Sequence, residues 1–387
     1  MMQRVAFRVG AALFLAAGVA SAGPAAASSP TTPAWATSLS IHGYASSVED
    51  VTRAPGGSVL WAVGAHSSKT SHDAPTVWRY DGSDWTTRRI PVDLTARSGH
   101  VNNIAAVSDT DVWAVGYTAV TGAGSPRPFV AHLTGGRWTV VDEAWTSPGD
   151  QAVMSAVTAR AADDVWVFGL EVTSYAAMAW HFDGRFWSKE AITIQNRSCN
   201  FPQDSTVTDA VATADGVYVA SYCSSKTARL AATVSFFDGR HWHSELSGHD
   251  GSSVYGVGAD PSGKVWAAGF DTDASGGHAQ AWYGQAGPFT SVGLVGPQFS
   301  TLTDVSATDD LIALTGEIGG GPHGAAPYLL TGTADDLEET AVPYDRQLSG
   351  ALVDPDGRLW VCGPASGGWL GGDKSHARIL TREPAAA

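Results

Sequence analysis

The segment Trp113-Ala114-Val115-Gly116, introduced by Asp111-Val112, recurs along the chain. Close copies are Trp61 to Gly64 (WAVG) and Trp166 to Gly169 (WVFG). Degenerate copies follow at Tyr218 to Ser221 (YVAS), Trp266 to Gly269 (WAAG), Ile312 to Thr315 (IALT) and Trp360 to Gly363 (WVCG). Their first residues are 52, 53, 52, 48, 46 and 48 positions apart. A steady period of about 40–50 residues marks a repeat architecture, and four-stranded propeller blades fit it.

Outward from each copy the chain parses into four strands. A small-residue strand a, such as Val101 to Ser108, precedes the motif across a polar turn such as Asp109-Thr110-Asp111 or Asp354-Pro355-Asp356-Gly357. The motif itself is strand b. Strands c and d follow as hairpins that read WRYDGSDW (Trp78 to Trp85), AHLTGGRW (Ala131 to Trp138), WHFDGRFW (Trp180 to Trp187) and SFFDGRHW (Ser235 to Trp242). Asp-Gly and Gly-Gly supply the positive φ that tight turns need, and the flanking aromatics form cross-strand pairs.

The seventh unit reaches a strand c near Ala377 to Thr381 and then ends. The first unit is preceded by Ala34-Trp35-Ala36-Thr37, which resembles Asp84-Trp85-Thr86-Thr87. The expected fold is therefore all-β. It is a seven-bladed β-propeller of four-stranded antiparallel blades, with the N-terminal strand closing the last blade and removing open sheet edges. A string of separate β-domains explains neither the period nor the missing last strand.

Composition narrows the function classes. The chain has 387 residues, 44% hydrophobic and 16% charged, with 23 Lys and Arg against 38 Asp and Glu. It is too apolar for a disordered chain, and a formal charge of −15 does not suit a phosphate backbone. No nucleic-acid partner is expected. Arg4 and Arg8, the apolar run Val9 to Ala20, and Ala20-Ser21-Ala22 before Gly23 have the layout of a secretory signal peptide. No later apolar run approaches the roughly 18 residues of a membrane span, so no membrane anchor is expected. The expected organisation is a signal peptide (1–22), a leader (23–33) and one propeller (34–387), released outside the cell.

Connections d–a and b–c share one face of a propeller. Cys199 lies in the connection between blades 3 and 4, and Cys223 lies just after strand b of blade 4. A Cys199–Cys223 disulfide is predicted for an oxidising compartment. Cys362 takes the strand position of Val63 and Val115 and reads as a small buried apolar residue.

Motifs for chemistry are sparse. The 12 His are scattered without HxxxH spacing, so no metal site is expected. Calcium is the only cofactor considered, at Asp271-Thr272-Asp273 or Asp354-Pro355-Asp356-Gly357. Neither is a full EF-hand loop. Strand a carries Glu49, Asp50, Asp209 and Asp304 close to a central channel, where they read first as structural or solvated carboxylates and only second as the pair of a glycosidase. No G-x-S-x-G elbow occurs.

Of the 15 Trp, 13 fall on repeat positions in strands b, c and d. Trp145 and Trp369 do not. Both fall in connections of the same face, where an aromatic can seat a sugar ring or anchor a protein partner. Tyr117, Tyr175, Tyr222, Asn102, Glu171, Asp271 and Arg346 are further candidate binding residues on that face.

The run Asp111 to Gly116, with the hairpin pattern DGxxW, resembles a group of secreted actinobacterial β-propellers and, more distantly, kelch repeats. Within that group the chain is similar to the lectin-like propeller subunits of umbrella toxin particles. That resemblance implies a subunit of a hetero-oligomeric extracellular particle that binds a surface glycan. The leading expectation is a non-enzymatic, lectin-like recognition module whose partner is a surface glycan or another secreted protein. The alternatives are a glycosidase with carboxylates at the channel mouth and a purely protein-binding scaffold.

Overall fold

The structure is a computed structural model. It describes residues 34–384 apart from 43–45, 69–70, 93–96, 121–125, 142–151, 175, 193, 195, 197–198, 200–204, 225–228, 286, 322–323 and 365–375. The expected signal peptide and leader lie outside the described residues, as do Trp145, Tyr175 and Trp369.

Among the described residues, 28 strands form seven antiparallel sheets of four. Blade 1 is β2 (Ser47–Arg53), β3 (Leu60–Ser68), β4 (Ser71–Tyr80) and β5 (Trp85–Arg89). Blade 2 is β6 (Arg97–Ser108), β7 (Asp111–Val120), β8 (Arg127–Thr134) and β9 (Arg137–Val140). Blade 3 is β10 (Ala152–Ala161), β11 (Asp164–Glu171), β12 (Ala176–Phe182) and β13 (Trp187–Glu190). Blade 4 is β14 (Ser205–Ala212), β15 (Val217–Ser224), β16 (Leu230–Phe237) and β17 (Trp242–Asp250). Blade 5 is β18 (Ser253–Ala259), β19 (Val265–Asp273), β20 (Gly276–Gly284) and β21 (Thr290–Gln298). Blade 6 is β22 (Ser300–Ala307), β23 (Ile312–Gly321), β24 (Gly324–Thr333) and β25 (Asp336–Glu339). Blade 7 combines β26 (Gly350–Val353), β27 (Leu359–Gly363) and β28 (His376–Arg382) with β1 (Trp35–His42), which pairs antiparallel to β28. The expected ring and its closure by the N-terminal strand are both present.

The core lies between blades rather than inside them. One apolar cluster fills each of the seven boundaries. The recurring Trp explain why. The strand b Trp of one blade meets the strand d Trp of the next edge-on. Trp61–Trp138, Trp113–Trp187, Trp166–Trp242 and Trp360–Trp85 have centroids 6.1, 5.7, 6.1 and 6.4 Å apart and interplanar angles of 75–90°. Edge-to-face pairs add about 0.5–1.5 kcal/mol each beyond their burial. Across the sheet, His132 and His181 stack on Trp113 and Trp166 at 3.7 and 4.3 Å, each hydrogen-bonded to an aspartate, Asp111 or Asp164.

The glycine that ends the WAVG motif has a steric cause. In six blades strand a bulges opposite this position, for example between Val101 and Asn103. In blade 4 the position is Ser221, and in blade 6 it is Gly316, because the register places Ala313, one residue later than the IALT copy suggests, at the motif Trp position. The bulge pushes a strand a carbonyl at the glycine. A Cβ on Gly116 would lie 2.0 Å from the His100 oxygen, and one on Gly64 would lie 2.1 Å from the Ser47 oxygen. Gly116→Ala is therefore expected to destabilise by about 3 kcal/mol through forced backbone movement. A urea titration checks this, and a loss below ~0.5 kcal/mol would show that the bulge yields freely.

Cys199 and Cys223 are disulfide-bonded with Cα atoms 5.7 Å apart, as the shared face predicts, and Cys362 is buried. No helix of the described residues is long and apolar enough to cross a membrane.

Candidate functional site

The seven a strands enclose a central cavity of about 440 Å³. One structural position on each a strand, the first after the bulge where one is present, abuts the next blade, and its polar occupants also line the cavity. The occupants are Asp50, Asn103, Ala156, Asp209, Gly256, Asp304 and Gly350. Where that residue is polar, it accepts an amide hydrogen from the next blade. Ile104 N–H donates to Asp50 Oδ2 (3.2 Å) and Val157 N–H to Asn103 Oδ1 (2.9 Å). Val257 N–H donates to Asp209 Oδ2 (2.9 Å) and Ala351 N–H to Asp304 Oδ2 (2.8 Å).

The preceding residue often forms a second tier. Asn102, Ser155, Thr208 and Thr303 each donate to a carbonyl of the following blade's a strand or the residues leading into it, those of Met154, Val207, Val254 and Leu348, at 2.7–3.1 Å. These two tiers make a polar belt around the channel. At the blade 5–6 boundary the belt residues are Tyr255 and Gly256. There the strands approach directly: a Cβ on Gly256 would lie 2.6 Å from the Asp304 Cα.

The belt bears on the carboxylates singled out in the sequence. Both oxygens of Asp209 and both of Asp304 already accept backbone amides, each including the amide of the following residue. Asp50 Oδ2 also accepts from Asn103 Nδ2 at 3.0 Å. Enclosure raises all three carboxyls. Asp50 rises to about 7, through desolvation first and the Asp304 charge second. Asp304 rises to about 6 by desolvation, and Asp209 is also pushed well up by desolvation, then by Asp304.

The other candidates lie on the face made by the b–c and d–a connections. Asn102 belongs to the belt. Tyr117 stacks on His100 at 5.7 Å, and His100 pairs with Asp73 at 3.5 Å. Glu171 ends β11 and accepts from the hydroxyls of Thr173 and Ser174 in its own loop. Arg346 is half-buried in the connection before β26. These side chains sit on blades 2, 3 and 7 and do not form one cluster.

Tyr222 and Asp271 do belong to a common patch on blades 4 and 5. Tyr222 meets Tyr255 at 5.9 Å, and Tyr255 meets Phe270 at 6.1 Å. Asp271 pairs with His249 at 2.8 Å. Beside Phe270 opens a cavity of about 440 Å³, lined also by Arg229, Thr272, Asp273, Ser275 and Gly276.

The oxygens considered for calcium have other work. Asp273 Oδ1 accepts from the amides of Ser275 and Gly276, and Asp354 Oδ2 accepts from Trp360 Nε1 and Arg53. Among the described residues no group of three or more His, Cys, Asp or Glu is placed to hold a metal ion.

Sequence reasoning missed Tyr255, Phe270 and Phe299. The first two stand on repeat strands, where an aromatic reads as packing. Phe299 lies between β21 and β22 and is 60% exposed. No protein-family model matches the chain, and no curated protein matches it.

Proposed function

We propose that the protein is a secreted, non-enzymatic recognition propeller that binds a glycan through the face of its b–c and d–a connections. The observation that carries this reading is the aromatic run Tyr222–Tyr255–Phe270 beside a pocket edged by Asp273, Thr272 and Ser275. An aromatic wall with a few convergent hydroxyl and carboxylate groups is the chemistry that suits a sugar, which has apolar faces and a polar rim. The channel carboxylates hold blade boundaries together, and this favours binding over hydrolysis. A glycosidase needs two carboxyls free to reach the sugar, about 5–10 Å apart. The resemblance to lectin-like propeller subunits of umbrella toxin particles adds a setting, a particle that displays the propeller to a bacterial surface.

A glycan array probed with the secreted chain tests the reading. The expected result is selective retention of one sugar class with no turnover of chromogenic glycosides. Turnover, or a proteinaceous partner retained in place of any glycan, would sink it. Size analysis of the native protein from culture supernatant tests the particle, which predicts a mass far above that of one chain.

A further inference from the structure

Phe299 is the only non-glycine residue at positive φ (+64°) among the described residues. Its ring is 60% exposed. A bulky L-residue disfavours this backbone region, where glycine or asparagine is the undemanding choice. Two backbone bonds hold it there. Phe299 N–H donates to the Gly277 oxygen of blade 5 at 2.7 Å, and its carbonyl accepts from Gly319 N–H of blade 6 at 2.8 Å. The fold thus fixes an apolar ring in water on a strained backbone. Strain of this kind clusters at ligand clamps.

The two glycines sharpen the point. Neither Gly277 nor Gly319 has a positive φ. A Cβ on Gly277 would meet only Phe270 and Thr272, at 3.8 and 3.9 Å, and one on Gly319 only the Phe299 oxygen, at 3.4 Å. Neither backbone conformation nor packing demands a glycine at these two positions. The other strongly exposed large apolar residue, Phe186, contrasts with it. It lies in the c–d turn between β12 and β13, on the opposite face, with the Arg185 guanidinium over its ring at 4.9 Å.

The β19–β20 hairpin that holds Phe299 through Gly277 also supplies Thr272, Asp273, Ser275 and Gly276 to the 440 Å³ cavity. That volume falls within the roughly 300–1,000 Å³ of small-ligand pockets. Acidic groups nearby are Asp271, Asp273 and Glu317, against one lining cation, Arg229, with His249 and His278 paired to Asp271 and Asp273, and the chain carries −15. Such a field repels anionic sugars and suits hydroxyl donors.

We propose that Phe299 is the stacking platform of a neutral-glycan subsite that continues into the cavity edged by Phe270, Thr272, Asp273 and Ser275. The proposal rests on the glycan-binding reading above and deepens it.

The test uses the full chain, its Phe299→Gly and Phe299→Trp variants, and a panel of immobilised neutral glycans (glucose-, galactose-, mannose- and N-acetylglucosamine-based oligomers) beside sialylated ones. Thermal melting is followed in parallel. Phe299→Gly is expected to weaken the glycan the wild-type chain binds by at least tenfold while melting at the same or a higher temperature, because it relieves strain. Phe299→Trp is expected to retain binding. Equal affinity of Phe299→Gly and wild type would overturn the subsite and leave the glycan reading standing. A lower melting temperature for Phe299→Gly would overturn it by giving the ring a packing role. Preference for sialylated glycans would overturn the neutral class. A wild-type chain that binds no glycan on the panel would remove the reading and the subsite together.

Discussion

A chain that starts after His42 will not form a closed ring. Residues 35–42 are the fourth strand of blade 7, and the register of β1 on β28 runs from Trp35 opposite Arg382 to His42 opposite His376. Trp35 packs into the cluster between blades 6 and 7 and donates from Nε1 to the Ala341 oxygen at 2.8 Å. Ile41 and Leu39 contribute to the cluster between blades 7 and 1. Burying each large apolar side chain is worth about 1.5–3 kcal/mol, against a net domain stability of about 5–15 kcal/mol. The deletion also bares the length of β28 as an edge strand, which templates aggregation. The expected result is loss of monomeric protein, or a melting temperature lowered by more than about 10 °C. Trp35 faces Arg382 in the register of a c–d hairpin, so the repair is specific. A circular permutant carrying residues 34–42 after residue 384 through a short turn should restore the wild-type melting temperature. A truncated chain that stays monomeric and melts normally would mean that the closing strand is dispensable.

The sequence made the ring legible because its information is periodic. The strand b Trp, the DGxxW hairpins and the orphan Trp35 each occupy a repeat register, and the pairing of b and d Trp across blade boundaries is the physical reason they recur. The disulfide followed from topology alone. The belt was less visible. The position that abuts the next blade reads Asp, Asn, Ala, Asp, Gly, Asp, Gly around the ring, and the bulge beside it breaks the two-residue alternation that marks which side chains face the channel. Asn102 and Asn103 show the consequence. Neighbours in the chain, both cross to blade 3, one to the Met154 carbonyl and one to the Val157 amide. From the sequence, Asn102 reads as a surface polar residue. Phe299 was invisible for a different reason: a positive φ on a non-glycine residue has no compositional signature.

Stability will peak in mildly acidic solution, not at neutral pH, and the channel carboxylates set the upper side of that peak. Asp50 rises from 3.8 to about 7 and Asp304 from 3.8 to about 6 on folding. A raised folded value means that the native state holds these protons more tightly than the unfolded chain does. Their contribution is complete below about pH 4 and is lost as pH rises toward 7. Glu49 adds to the repulsion on Asp50, and the nearby Arg53 already pairs with Asp354 at 3.1 Å. The exposed turn aspartates work in the opposite sense. Asp81, held by the amides of Asp84 and Ser83, falls to about 2, and Asp183 and Asp273 are also lowered by hydrogen bonds within their turns. Their contribution is present above about pH 4 and fades below it. Between pH 5 and 8 these turn aspartates are ionised in both the folded and the unfolded chain, so the slope there comes from carboxyls raised by burial, those of the channel together with Asp271, Asp354 and Glu245. A tenfold difference in proton affinity between the two states of a buried carboxyl corresponds to about 1.4 kcal/mol. Asn103 shows how to remove the charge and keep the cross-blade bond, since its amide oxygen accepts from Val157 N–H just as Asp50 accepts from Ile104 N–H; Asp304→Asn keeps the bond from Ala351 N–H and gives up the one from Val305 N–H. The double variant Asp50→Asn, Asp304→Asn is therefore expected to gain on the order of 2 kcal/mol at pH 8 and to flatten the fall in stability from pH 5 to 8. Denaturant titrations at both pH values measure this. A variant that is less stable at pH 8, or that keeps the full slope, would place the pH dependence elsewhere than in these carboxylates.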